Sequence, residues 1–261
     1  MNNISDNRSL KERLEHHYRA FGREKLSPDP LEIPHRFTRP EDIEIAAFFA
    51  AFFAYGSVFQ IIKNVNELLT RLDDSPYYTI KTAEDLEERV EGFYYRFYST
   101  FDVTTLLLAL QKLLLEQDGL KGLFMEGFTP ERDLAAGIQH FSGWFLKFAE
   151  SEGRLTRGFR HFFPEPERGS ACKRMNLFLR WMVREDDLDF GFWSEVGKEN
   201  LIIPLDLHIA RISKQLGLTA RNDSSWRTAS EITSKLREFD PEDPVKYDFA
   251  LCHISMRKLE F

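Results

Sequence analysis

Apolar residues recur at helical spacing through most of the chain. Leu10, Leu14, Tyr18 and Phe21 follow the capping-box sequence Ser9-Leu10-Lys11-Glu12 and are closed by Gly22, which predicts an amphipathic helix. The Pro-containing stretch from Ser27 to Pro40 reads as a loop, and Thr38 with Glu41 forms a second capping box ahead of a helix from Ile43 to Ala54. That helix is apolar on nearly all sides from Ala46 onward, so it is expected at the centre of the fold. A third helix is expected from Ser57 to Arg71, with Phe59, Ile62, Val65 and Leu69 inward. Further helical patterns run from Ala83 to Arg96, from Val103 to Gln117 behind Asp102, and from Pro130 to Ala149 behind Thr129. Glu150 to Ser170 reads as a long basic loop broken by Gly153, Gly158, Pro164, Pro166 and Gly169. Helices then follow at Ala171 to Arg184, Leu207 to Leu216, Trp226 to Phe239, and Pro244 to Met256 behind Asp243.

No strand pattern or linker interrupts this series, so the expected fold is all-α. It is read as a single domain over residues 1–261, built as two helical lobes, 1–150 and 151–261, with a cleft between them. Of the 261 residues, 43% are hydrophobic and 30% charged, the balance of a chain that folds on a core. The 24 phenylalanines lie mostly in helical segments, where packing explains them. Two cysteines, Cys172 and Cys252, have no metal-ligand spacing, so no metal, iron–sulfur cluster or other cofactor is expected. The polar start and the shortness of the apolar run from Ile45 to Tyr55 predict a cytoplasmic protein with no membrane contact.

A net charge of −7 speaks against nucleic acid, but its distribution does not. From Arg154 to Arg184 the chain carries eight basic residues against only Glu165 and Glu167. Such a segment can form a phosphate-binding surface, because salt screens distant carboxylates beyond about 8 Å. On the helix from Ala171, Lys173, Asn176, Arg180 and Arg184 share one face, while Met175, Phe178, Leu179 and Met182 share the opposite one. Ser170 reads as the N-cap, and free amides at this helix start suit an anion. Lys173 in the first turn is a candidate nucleophile, since a neutral amine attacks a sugar carbon. Asp206, behind the extended stretch Leu201 to Leu205, reads equally as the cap of its own helix and as a catalytic carboxylate. His208 beside it has no second metal ligand nearby.

The stretch Pro204-Leu205-Asp206-Leu207-His208-Ile209-Ala210-Arg211, followed by Leu216-Gly217-Leu218, resembles the Asp-containing motif of the helix-hairpin-helix DNA glycosylase superfamily. The chain as a whole resembles an uncharacterised bacterial family, a domain of unknown function, placed near that superfamily. Gly169 to Arg174 and Leu179 to Arg184 are its most recognisable stretches. The superfamily resemblance implies that Asp206 stabilises charge on the sugar during base loss and that an upstream lysine, here Lys173, is the nucleophile of a bifunctional member. The 33-residue separation of the two is similar to that of the archaeal 8-oxoguanine DNA glycosylases. The Leu-Pro-Gly-Val-Gly hairpin of the superfamily is absent, with Pro166-Glu167-Arg168-Gly169-Ser170 in its place.

These readings predict a DNA glycosylase with abasic-site lyase activity, acting on an oxidised base such as 8-oxoguanine in damaged duplex DNA. Lys173 and Asp206 are the catalytic candidates. Ser170, Arg174, Arg180, Arg184, His208, Arg211 and Lys214 are candidates for DNA contact, and Phe178 and Trp181, which also satisfy the core periodicity, for stacking on a base. The alternative is a non-catalytic DNA-binding or protein-interaction module on the same scaffold.

Overall fold

The structure, a computed structural model, describes residues 2–129, 133–257, 259 and 261. Among these the chain is helical, with only isolated bridges in place of strands. The all-α expectation therefore holds. No helix among the described residues is long and apolar enough to cross a membrane. The chain divides into two compact units, Pro28–Arg168, and Met1–Ser27 together with Gly169–Phe261. The division departs from lobes split at residue 150. The first predicted helix belongs with the C-terminal third, and Glu150–Arg168 belongs with the helices before it.

The unit Pro28–Arg168 is built from α2 (Pro40–Phe52), α3 (Val58–Arg71), α4 (Pro76–Thr82), α5 (Leu86–Arg89), α6 (Thr100–Glu116), α7 (Gly119–Gly127), α8 (Leu134–Ser151) and α9 (Arg157–Phe162). Helix α2 forms its centre: every residue from Ile45 to Ala54 is buried. Around it the phenylalanines pack ring on ring, Phe48 on Phe52 at 4.2 Å and Phe145 on Phe163 at 4.3 Å between centroids. Each such buried ring contributes roughly 1.5–3 kcal/mol of apolar burial.

Several boundaries differ from the sequence reading for identifiable reasons. Pro40 occupies the first turn of α2 behind Arg39, which leaves no place for a Thr38–Glu41 capping box. On α3 the buried stripe is Ile61, Val65, Leu68 and Leu69, and Phe59 is exposed. At about 100° per residue Phe59 lies some 160° from Ile61, on the opposite face. Helix α6 is capped by Ser99, with Asp102 at the third position completing the box: the Ser99 amide donates to Asp102 Oδ2 at 2.8 Å. Pro130, read as the start of α8, lies outside the described residues, and the side chain of Asp133 caps α8 instead. Within the expected loop Glu150–Ser170, Thr156 caps α9 by accepting from the Phe159 amide at 2.9 Å.

The other unit contains α1 (Asn2–Ala20), α10 (Lys173–Val183), α11 (Leu207–Gln215), α12 (Trp226–Arg237) and α13 (Asp248–Arg257). Ser9 lies inside α1 and caps nothing. Helix α1 is tied to the approach to α13 by polar contacts. Lys246 pairs with Glu15 at 2.8 Å and with Asp240 at 2.5 Å, and the Tyr247 hydroxyl donates to Glu15 at 2.6 Å. Burial and the adjoining Glu15 carboxylate both push the Tyr247 hydroxyl above its ordinary range, so it stays a donor.

Helices α7 and α8 approach closely at two glycines. A Cβ at Gly127 would sit 2.3 Å from His140 Cβ and 3.1 Å from the Ala136 carbonyl. Neither atom is the free end of a side chain, so the helices must part to admit a methyl group. Gly127→Ala is expected to destabilise the fold by roughly 1–3 kcal/mol despite alanine's higher helix propensity, measured as a lower midpoint in urea.

Candidate functional site

The candidate residues lie in the unit Met1–Ser27 with Gly169–Phe261. Helix α10 starts after two left-handed residues, Gly169 at φ 81° and Cys172 at φ 45°. Ser170, expected as its N-cap, stands two residues too early. Its Oγ accepts from the Cys172 amide at 3.1 Å, and its backbone bridges to Ser225, while the Trp226 amide donates to the Gly169 carbonyl at 3.1 Å. Cys172 takes the N-cap position without side-chain capping. Lys173, half-buried, is the first residue of the helix.

Beyond Lys173 almost the whole helix is buried, its basic stripe included. Arg174 is buried, and Arg180 and Arg184, expected to reach phosphates, point into a cage of carboxylates. The Arg180 guanidinium donates to both oxygens of Asp189, at 3.2 and 3.1 Å, and to Asp248 at 2.7 Å. Arg184 donates to Asp243 at 2.9 to 3.1 Å and to Asp189, and pairs with Asp186 at 2.9 Å. These two residues are therefore internal counter-charges, withdrawn from any DNA. Isolated buried charges are too costly to survive, and the bidentate geometry offsets the desolvation.

The stacking candidates are corrected by the same burial. Phe178 is fully buried with its ring edge-on to Trp193 at 5.1 Å, and Trp181 is 1% exposed, so neither presents a face to a base.

Burial raises the carboxyl of Asp189, against the pull of Arg180 and Arg184, and drives that of Asp248 up to about 6 against Arg180. Asp186 is also desolvated, yet Arg184 and the amides of Leu188 and Asp189 outweigh that and hold it low. Sequence reasoning missed all four aspartates. The acidic run Glu185–Asp189 directly after Arg184 was the available signal. Asp243 and Asp248 come from 59 and 68 residues beyond their arginines.

Asp206 is the N-cap of α11. Its Oδ1 accepts from the His208 and Ile209 amides at 2.9 and 2.8 Å, and the Cys252 thiol lies 3.9 Å from Oδ2. It is near enough to Asp248 for their charges to repel, which adds to the rise at Asp248. His208 is half-buried, with Nδ1 enclosed and meeting no hydrogen-bond partner among the described residues. Arg211 and Lys214 are exposed on α11 with Leu207, and Lys214 donates to Asn222 at 2.6 Å. Of the basic residues expected at DNA, Arg211 and Lys214 thus face solvent. No group of three or more metal-ligating side chains comes together among the described residues.

A family model described as a protein of unknown function, DUF2400, matches residues 29–257. The chain belongs to that family. No curated protein matches it, and no solved structure does.

Two outcomes follow from the cage. Arg184→Leu leaves Asp243 buried without its guanidinium and Asp189 with Arg180 alone, and is expected to cost about 3–5 kcal/mol, read from denaturant unfolding. The Asp248 carboxyl, raised from 3.8 to about 6, favours the folded state at low pH and loses that contribution as pH climbs through 6. Asp248→Asn lacks the titration. Its stability relative to the parent is expected to improve by about 2 kcal/mol between pH 4 and pH 7, at about 1.4 kcal/mol per factor of ten. A difference independent of pH over that range would contradict the assignment.

Proposed function

We propose that this chain is a DNA base-excision enzyme with abasic-site lyase activity, in which Asp206 and Lys173 do the chemistry. The observation that carries this reading is the state of Asp206. One carboxylate oxygen accepts from two helix amides, which fixes the group, and the other meets the Cys252 thiol at 3.9 Å in a residue that is only half-buried. A carboxylate held in this way stabilises positive charge developing on a sugar without having to reorganise.

Lys173 is the second candidate. It lies seven residues before Arg180, hence on the same face of α10 and about 10 Å along the axis. Arg180 binds Asp248, which in turn feels the charge of Asp206. In the reaction the Lys173 nitrogen bonds to the anomeric carbon as the glycosidic C–N bond breaks. The base leaves with the bonding pair and takes a proton from water. Loss of the amine proton and opening of the sugar ring give an imine. The substrate class follows from the resemblance of Pro204–Arg211 to the helix-hairpin-helix glycosylases: a damaged base, with 8-oxoguanine the first candidate, turned out of the duplex at a cost of a few kcal/mol. Exposed Arg211 and Lys214 are left to hold phosphates, with the half-buried Ser170 and His208 beside the two reacting groups.

The second reading, a binding module that does no chemistry, is favoured by one observation. Arg180 and Arg184 are spent on internal carboxylates, which leaves fewer cations for a duplex.

Borohydride trapping decides between them. Duplexes carrying 8-oxoguanine, uracil or an abasic site are incubated with the protein and reduced. A covalent adduct is expected with the parent chain, lost in Lys173→Gln. Asp206→Asn keeps a good cap and so the fold, and is expected to lower the rate of base release by at least a hundredfold, the scale of one lost electrostatic contact to a transition state. No adduct and no base release on any duplex would overturn the enzymatic reading.

A further inference from the structure

We infer that the tip of the hairpin Tyr95–Tyr98, together with helix α9 and Tyr55, is a binding platform for single-stranded nucleic acid. It lies wholly within the unit Pro28–Arg168, apart from Lys173 and Asp206, and does not depend on the glycosylase reading.

The tip is a two-residue turn. The Tyr95 and Tyr98 amides donate to each other's carbonyls at 2.9 Å, which leaves Arg96 and Phe97 at its apex. Arg96 sits at φ 59°, a left-handed conformation costly to a residue with a side chain, and the surrounding contacts hold it there. Those contacts come from below. The Tyr95 hydroxyl donates to the Tyr55 carbonyl at 2.7 Å, the Tyr98 hydroxyl meets His161 Nδ1 at 2.8 Å, and Tyr98 stacks on buried Phe162 at 3.7 Å. Asp102 accepts from Ser99 and from the Thr156 hydroxyl, joining the turn to the start of α9. The join is close: a Cβ at Gly158 would lie 2.6 Å from the Phe97 carbonyl and 2.5 Å from Asp102 Oδ2.

What this scaffold presents is aromatic and basic. Phe97 is 50% exposed, Tyr55 41% and Tyr94 66%. Phe97, Tyr55 and His161 form a mutual ring cluster with centroids 5.1 to 5.3 Å apart. The Arg96 guanidinium lies over Tyr55 at 5.2 Å and Phe97 at 6.0 Å. On α9, Arg157 and Arg160 are exposed, and with His161 they occupy one face of the helix at the i, i+3, i+4 spacing. Three arginines thus surround half-exposed rings on a chain of net charge −7. A partner that is merely apolar does not need those cations, and an acidic polypeptide does not need the rings. A polymer that alternates phosphates with flat bases uses both. A duplex keeps its bases stacked inside, so the strand must be single. On one side the surface is bounded by an acidic groove, where Glu87, Glu88 and Glu91 line a hollow with Phe101 and Arg154, so the strand runs along the Arg157–Arg160 side.

The test is fluorescence anisotropy of a labelled twelve-residue oligothymidylate titrated with the full chain at several salt concentrations. Salt-dependent binding is expected, with a log–log slope of about −2, as three phosphate contacts on a single strand give. Phe97→Ala is expected to weaken it about tenfold, the effect of losing one base stack. Arg157→Gln with Arg160→Gln is expected to flatten the salt slope. These side chains are exposed, and circular dichroism checks that the variants fold. The borohydride experiment reads chemistry at Lys173 and this one reads binding at Phe97, Arg157 and Arg160, so a failure of either is separable from a failure of the other. Absence of binding at low salt, equal binding by the Phe97 and arginine variants, or competition by polyglutamate as effective as by oligothymidylate would each overturn the proposal.

Discussion

Two arginines inside a helical core have to be neutralised where they sit, and much of the unit containing α10 is arranged to do that. Arg180 in the last turn of α10 and Arg184 at its C-cap lie one turn apart, and their carboxylate partners come from the loop after the helix, from the turn before α13, and from the first residue of α13. Each contact joins segments distant in sequence. Removing one partner strands a buried charge, so each of these segments is needed where it is. The carboxylates outnumber the guanidiniums, and burial raises the carboxyls of Asp189 and Asp248. Helix α1 adds to the same framework through Tyr18, whose hydroxyl donates to Asp186 at 3.3 Å, and through the Glu15–Lys246 pair.

The cage also decides what remains for function. A basic helix face that looks like a phosphate-binding surface is, beyond its first turn, internal. Lys173, in the first turn, is only half-buried, and the charge of Asp206 is shared with amides rather than with an arginine. Asp206 also acts on Asp248 through space. The arginines and lysines whose side chains remain in water lie elsewhere: Arg211 and Lys214 on α11, and Arg96, Arg157 and Arg160 in the unit Pro28–Arg168.

Local signals in the sequence were legible where the controlling interaction is local. The start of α3 at Ser57, Asp206 capping α11 and the all-round burial of α2 depend on neighbours within a few residues, and each was readable from spacing. Helix α9 was not, because six residues span less than two full turns and Gly158, which reads as a breaker, is required by the close approach of the Phe97 carbonyl. Helix α7 was missed for a similar reason. Gly119 reads as the stop of α6, but at φ 69° it turns the chain directly into the next helix. Asp243 reads as a cap and is spent on Arg184, so α13 begins five residues later, at Asp248.

The basic segment from Arg154 to Arg184 shows why charge counted along a chain is a weak guide to charge on a surface. Arg154 pairs with Glu87 at 2.9 Å and lies over Phe101; Arg168 pairs with Glu165 at 2.8 Å; Arg180 and Arg184 are enclosed. Arg157 and Arg160 stay in solvent because α9 buries its other face, Phe159 and Phe162, in the phenylalanine core. The same amphipathic pattern that fixes α9 against that core therefore orients its arginines outward, beside rings that the Tyr95–Tyr98 turn leaves half uncovered. A local excess of cations becomes a recognition surface only when burial of the opposite face leaves those cations nowhere else to go.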